Sequence, residues 1–254
     1  MRRRPLAVGA AAALAALVAA FSLAARESEN GRRTTVAGAP LVLAAASLAE
    51  VLPKVAPDAR VSLGGSNQLA QQIRQGAPFD VFLSASPRYT RELYAEGLVR
   101  TPVAFATNSL VVVVPRGNPA RIRTVADLAR RPDLRLVVAG PQVPIGLYTR
   151  AVLKRLGLVH VLRRAVSLEP DVKWIVGKVA LGEADAGFVY ATDVAPVRSS
   201  VVRIVLPARA QPTVRYELAV AAEPVDLEAA RELVSAVLGP DGRRALRQAG
   251  FGQS

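Results

Sequence analysis

Residues 41–57 read LVLAAASLAEVLPKVAP. A short apolar run of strand length ends at Ser47, and a helical pattern begins at once. The reading is a buried strand followed by a helix with Ser47 as its N-cap. The same sequence of signals recurs downstream. ARVSLGG (59–65) precedes SNQLAQQIRQG (66–76), with Ser66 as N-cap and Gly76 past the end. FDVFLSA (79–85) precedes SPRYTRELYAEG (86–97), with Ser86 as cap and Pro87 at the first helical position.

Working outward, strands are expected in NSLVVVVPRG (108–117), LRLVVAG (134–140), AGFVYATD (186–193), SVVRIVLPARAQ (200–211) and TVRYELAVAA (213–222). Helices are expected in VADLARRPD (125–133), GLYTRAVLKRLG (146–157), EPDVKWIVGKVALGEA (169–184) and the closing DLEAARELVSAVLGPDGRRALRQAG (226–250). Strand–helix alternation with continuous apolar strands implies α/β architecture, its sheets mainly parallel and covered by helices.

Composition narrows the chemistry. The 254 residues include no cysteine and one histidine, His160. Disulfides, thiolate metal sites and cysteine nucleophiles are excluded. A triad or a multi-histidine metal site would have to use His160, which is expected at an exposed helix end. With no paired carboxylates in evidence, an enzyme is not expected.

The formal charge is +13. Arg2, Arg3 and Arg4 stand before the apolar run PLAVGAAAALAALVAAFSLAA, and without them 30 basic residues face 20 acidic ones. The remaining arginines are scattered and aromatics are sparse, so a solvated surface is favoured over a nucleic-acid footprint. Residues 1–25 read as an export signal, with an uncleaved anchor as the second reading. Residues 26–36 read as a tether. The protein is therefore expected in the periplasm or on the outer face of the cytoplasmic membrane.

Helix N-termini carry free N–H groups and a partial positive charge. In open α/β sheets they gather where ligands bind, at the carboxyl ends of the strands. Ser47 and Ser66 hold that place in two successive units. Each alone reads first as an ordinary cap. Tyr190 alone reads first as a core tyrosine, Asp193 as a cap or a contact between lobes, and Trp174 as packing. Arg88, Arg150 and Lys173 are placed to steer an anion by field.

Taken together, the stretches AAASL (44–48), SNQLAQQIRQGAPFDVFLSA (66–85), NSLVVVVP (108–115), VPIGLYTR (143–150), DVKWIVGKV (171–179) and GFVYATD (187–193) resemble the molybdate/tungstate-binding proteins of bacterial ABC importers. These are two-lobed periplasmic binding proteins of type II. The resemblance runs from about Val36 to Ser254. It implies an oxyanion held between two lobes by Ser47, Ser66, Ile145, Val172 and Tyr190. The serines would give hydroxyl and backbone N–H groups, Ile145 and Val172 backbone N–H groups, and Tyr190 its phenol. It further implies molybdate or tungstate as ligand, no other metal or cofactor, a monomer, and delivery to membrane permease subunits. Lobe one would combine 37–108 and 212–254, and lobe two would span 109–211. Sulfate or another small oxyanion on the same fold is the alternative. Position 145 is commonly a small alanine in that family, and here it is Ile145. Asn67 replaces a common small residue, and its amide is a candidate extra donor.

Overall fold

The computed structural model describes residues 38–254. The export signal expected over 1–25 and the tether over 26–36 lie outside them. Among the described residues no helix is long and apolar enough to cross a membrane.

Among the described residues ten strands form two five-stranded sheets. The first holds β1 (Leu41–Ala45), β2 (Arg60–Gly64), β3 (Val81–Ser84), β4 (Val103–Asn108) and β10 (Val214–Val220), in the order β2-β1-β3-β10-β4. The second holds β5 (Leu110–Pro115), β6 (Leu136–Ala139), β7 (Ala165–Glu169), β8 (Ala186–Tyr190) and β9 (Val201–Val205), in the order β7-β6-β8-β5-β9. In each sheet the first three strands run parallel, and the fourth is antiparallel to both neighbours. Four strands of each sheet thus point one way, as the alternation of strand and helix predicts. The reversed strands, β5 and β10, are the first that the chain lays down after passing from one sheet to the other.

Local chemistry explains most boundaries. Ser86 accepts the N–H of Arg88 and Pro87 opens the helix Pro87–Ala95. Gly76, at φ +86°, follows the helix Ser66–Arg74 in the left-handed conformation open to glycine. Asp226 caps the helix Leu227–Leu238 by accepting from Glu228 and Ala229. Asp80, buried, ties that region to the first sheet by accepting the N–H groups of Leu41 and Asp226.

Two serine caps are corrected. Ser47 lies inside a short 3-10 turn, Ala46–Leu48, whose N-cap is Ala45, and the α-helix Leu52–Val55 begins only afterwards. Ser66 is the first helical residue, and Gly65 is the N-cap. Neither serine is the capping residue of its helical segment, so both hydroxyls have other partners. Strands β4 and β7 escape the sequence reading: VAFATN carries polar residues, and AVSLE is a partly exposed edge. Trp174 is 58% exposed rather than packed.

Candidate functional site

Four helical N-termini converge between the sheets. They are the 3-10 turn after β1, the helix Ser66–Arg74 after β2, the helix Pro144–Arg155 after β6 and the helix Val172–Ala180 after β7. Each follows the carboxyl end of a strand, where N–H groups face a common space. Ser47, Ser66, Ile145, Val172 and Tyr190 all line one cavity there, with Ala45, Ala46, Gly64, Gly65, Ala85, Val143, Pro144 and Asp171. Its volume is about 20 Å³. A single water needs about 10–15 Å³ on that scale, so the space suits a small inorganic ion and not a sugar or peptide.

The sequence thus places all five residues in one spot, although they span 144 positions from Ser47 to Tyr190. Ser47 and Ser66 are 5% and 1% exposed, and Ile145 is 1% exposed. The first-turn N–H groups of Ser66, Ile145 and Val172 have no carbonyl to bond within their own helices. Among the described residues no arginine or lysine lines the cavity. Asn67, a candidate donor from sequence, is not among its lining residues.

Each hydroxyl has a defined setting. Ser47 Oγ lies 2.8 Å from the Tyr216 hydroxyl. Ser66 Oγ accepts the backbone N–H of Ala85 at 3.1 Å. The buried Tyr190 hydroxyl has no hydrogen-bond partner among the described residues. Burial pushes the Tyr190 phenol well above its ordinary pKa, with Tyr216 and Tyr148 adding to the effect. It therefore stays protonated and available as a donor at neutral pH.

Asp171 is the one charged residue among the described residues that lines the cavity. It is the N-cap of the helix Val172–Ala180, and its carboxylate accepts from Lys173 N at 2.7 Å and Trp174 N at 3.4 Å. Those two N–H groups are taken, while that of Val172 is not. The sequence reading missed Asp171, although an aspartate directly before a helical pattern is itself a cap signal.

Several contacts join the segments of the two sheets around the cavity. Tyr89 donates its hydroxyl to the Gln142 carbonyl. Asn108 donates to Thr192 Oγ1 at 2.9 Å. Lys173 Nζ stands 3.6 Å from Glu50 Oε1 across the cavity, and 3.2 Å from Asp193 Oδ1 on its own side.

Asp193 is fully buried, and its pKa is raised to about 6. Desolvation is the main cause, opposed by the Lys173 ammonium and reinforced by the Asp171 carboxylate. The Lys173 ion pair, 3.2 Å away, offsets the burial only in part. From about pH 4 to pH 6 the folded chain holds a proton here that the unfolded chain has released. Stability from this group is therefore fully present below the ordinary carboxylate pKa and lost as pH rises through about 6. Asp193→Asn is expected to raise the melting temperature at pH 8 and leave it nearly unchanged at pH 4. Equal shifts at both values, read by thermal denaturation, would refute the assignment.

The chain matches the family model described as bacterial extracellular solute-binding protein over residues 54–252. The chain belongs to that family. The molybdate-binding protein ModA of Mycobacterium tuberculosis is 37% identical over 94% of this chain and 93% of its own length. Among solved structures, the periplasmic molybdate-binding protein of Azotobacter vinelandii superposes with a TM-score of 0.75 at 22% identity, over 85% of this chain and 99% of that one. The sulfate-binding protein SubI of M. tuberculosis superposes with a TM-score of 0.70 at 18% identity, over 84% and 86%. These likenesses establish the two-lobed solute-binding fold.

Proposed function

We propose that this solute-binding protein captures molybdate or tungstate outside the cytoplasm and passes it to the permease subunits of an ABC importer. The observation that carries this reading is the cavity itself: two buried serines, one unpartnered phenol and the free N–H groups of helix N-termini around a space for one small ion. Ser47, Ser66, Ile145, Val172 and Tyr190 would hold the anion. Helix N-termini favour negative charge, and a hydrogen bond to a charged group contributes roughly 1.5–3 kcal/mol. Several such bonds exceed the about 8 kcal/mol of micromolar binding, leaving a surplus for ordering and desolvation.

Neutral donors also discriminate. Molybdate, tungstate and sulfate present four bare oxygens at neutral pH. Hydrogen phosphate carries a hydroxyl that needs an acceptor; the one carboxylate at the lining, Asp171, is engaged in capping its own helix, and unpaired polar hydrogens are costly when buried. The name of the M. tuberculosis relative favours molybdate over the sulfate reading.

The lobes in this reading are 37–108 with 212–254, and 109–211. An ion touching both favours the closed form by its differential affinity, and the permease would read that form. Scattering should then show a more compact protein with saturating molybdate than without it. Identical curves would remove the hinge.

A thermal-shift panel on the purified mature domain tests the ligand. At a thousandfold excess over Kd, molybdate and tungstate should each stabilise by about 4 kcal/mol, a rise on the order of 10 °C. Phosphate should leave the melting temperature unchanged. A shift with sulfate alone would replace molybdate by the alternative. Tyr190→Phe should weaken molybdate binding by about 1.5–2 kcal/mol without altering the melting temperature of the free protein. An unchanged calorimetric Kd would take the phenol out of the site.

A further inference from the structure

Tyr216 is fully buried on β10, at a register shift in its pairing with β4. Such a shift re-aims side chains. Its hydroxyl lies 2.8 Å from Ser47 Oγ and 3.5 Å from Asn108 Nδ2. Distance alone leaves either oxygen of the Tyr216–Ser47 pair as donor. The neighbours decide it. Asn108 Oδ1 accepts the backbone N–H of Ser109 at 2.9 Å, and that N–H can only donate. The amide orientation is thereby fixed, and its Nδ2 faces Tyr216 and Thr192. An amide NH₂ only donates, so Tyr216 Oη is the acceptor in that contact. Among the described residues the Tyr216 hydroxyl has no acceptor other than Ser47 Oγ, so its proton goes there rather than being left buried and unpaired, and the Ser47 proton points elsewhere, toward the cavity that Ser47 lines. Burial raises the Tyr216 pKa well above its ordinary value, so that proton is retained.

Ser66 reaches the same state by a shorter route. Its oxygen accepts from the Ala85 N–H, which leaves its proton for the cavity. The two hydroxyls are held as donors by groups behind them.

We propose that Tyr216, oriented by Asn108, is a positioning residue that fixes Ser47 as a hydrogen-bond donor and so sets the preference for fully deprotonated oxyanions. The proposal rests on the oxyanion reading above. It adds a determinant that does not line the cavity.

The test compares molybdate and phosphate affinities by calorimetry at neutral pH. Tyr216→Phe keeps the ring and its edge contacts to Phe105, Tyr190 and Phe251 but frees the Ser47 hydroxyl to turn and accept. Molybdate affinity should fall about tenfold, and the molybdate-to-phosphate ratio should narrow. Asn108→Ala, which leaves Tyr216 in place without its orienting donor, should narrow the ratio in the same direction. In Ser47→Ala, adding Tyr216→Phe should cost nothing further, because the relay has no end. A ratio unchanged in both Tyr216→Phe and Asn108→Ala, or additive losses in the double variant, would overturn the proposal. If the wild-type protein binds no oxyanion at all, the site reading itself is what fails.

Discussion

Replacing Gly146 with alanine should damage both stability and binding. Gly146 is the third residue of the helix Pro144–Arg155, in the VPIGLYTR stretch. A Cβ there would stand 2.1 Å from the Gly140 carbonyl oxygen and 2.8 Å from that of Ala139. Both obstacles are backbone at the end of β6, so no side chain can swing aside. The helix must back away by on the order of 1 Å to restore ordinary contact. Overpacking of this kind costs about 3 kcal/mol at its usual upper end. The same shift carries the Ile145 N–H out of reach of an anion, at a further cost of about 1.5–3 kcal/mol in binding. Thermal denaturation should show a lowered melting temperature, and calorimetry a molybdate Kd raised at least tenfold. Wild-type values in both would mean that the helix does not seat against β6 as described.

That glycine illustrates what a sequence discloses. The alternation of apolar runs and helical patterns carried the sheets and nearly all the helices, because buried strands and amphipathic helices write their periodicity directly. Where periodicity was weak, in the polar β4 and the edge strand β7, the elements were missed. The five candidate residues were legible through local signals at strand ends together with family resemblance. Their partners were not. Tyr216 stands 169 positions from Ser47, and TVRYELAVAA reads only as another strand. Nothing local says that its hydroxyl will meet a serine from the other end of the chain. Ser47 and Ser66 read as caps because serine before a helix usually is one. Their actual settings, behind Tyr216 and Ala85, come from tertiary packing.

The second large effect is expected at Gly65, the N-cap residue between β2 and the helix Ser66–Arg74. A Cβ at this position would lie 2.5 Å from the Pro170 carbonyl oxygen, which precedes the helix Val172–Ala180 on the other sheet's side of the cavity. The obstacle again is backbone, but here it belongs to the opposite lobe. Gly65 has φ −65°, a conformation open to alanine, and the other close atom, Asn67 Oδ1 at 2.8 Å, is the end of a side chain that can turn aside. The cheapest relief is therefore a relative movement of the two lobes, with each core left intact. Gly65→Ala should melt at nearly the wild-type temperature without ligand. It should bind molybdate about a hundredfold more weakly, corresponding to the roughly 3 kcal/mol of a clash that closure can no longer avoid. Scattering with saturating molybdate should show it less compact than the wild type under the same conditions. A Gly65→Ala protein that closes and binds like the wild type would show that Gly65 and Pro170 do not meet in the ligand-bound form. The two-lobe capture mechanism would then lose its tightest point of contact.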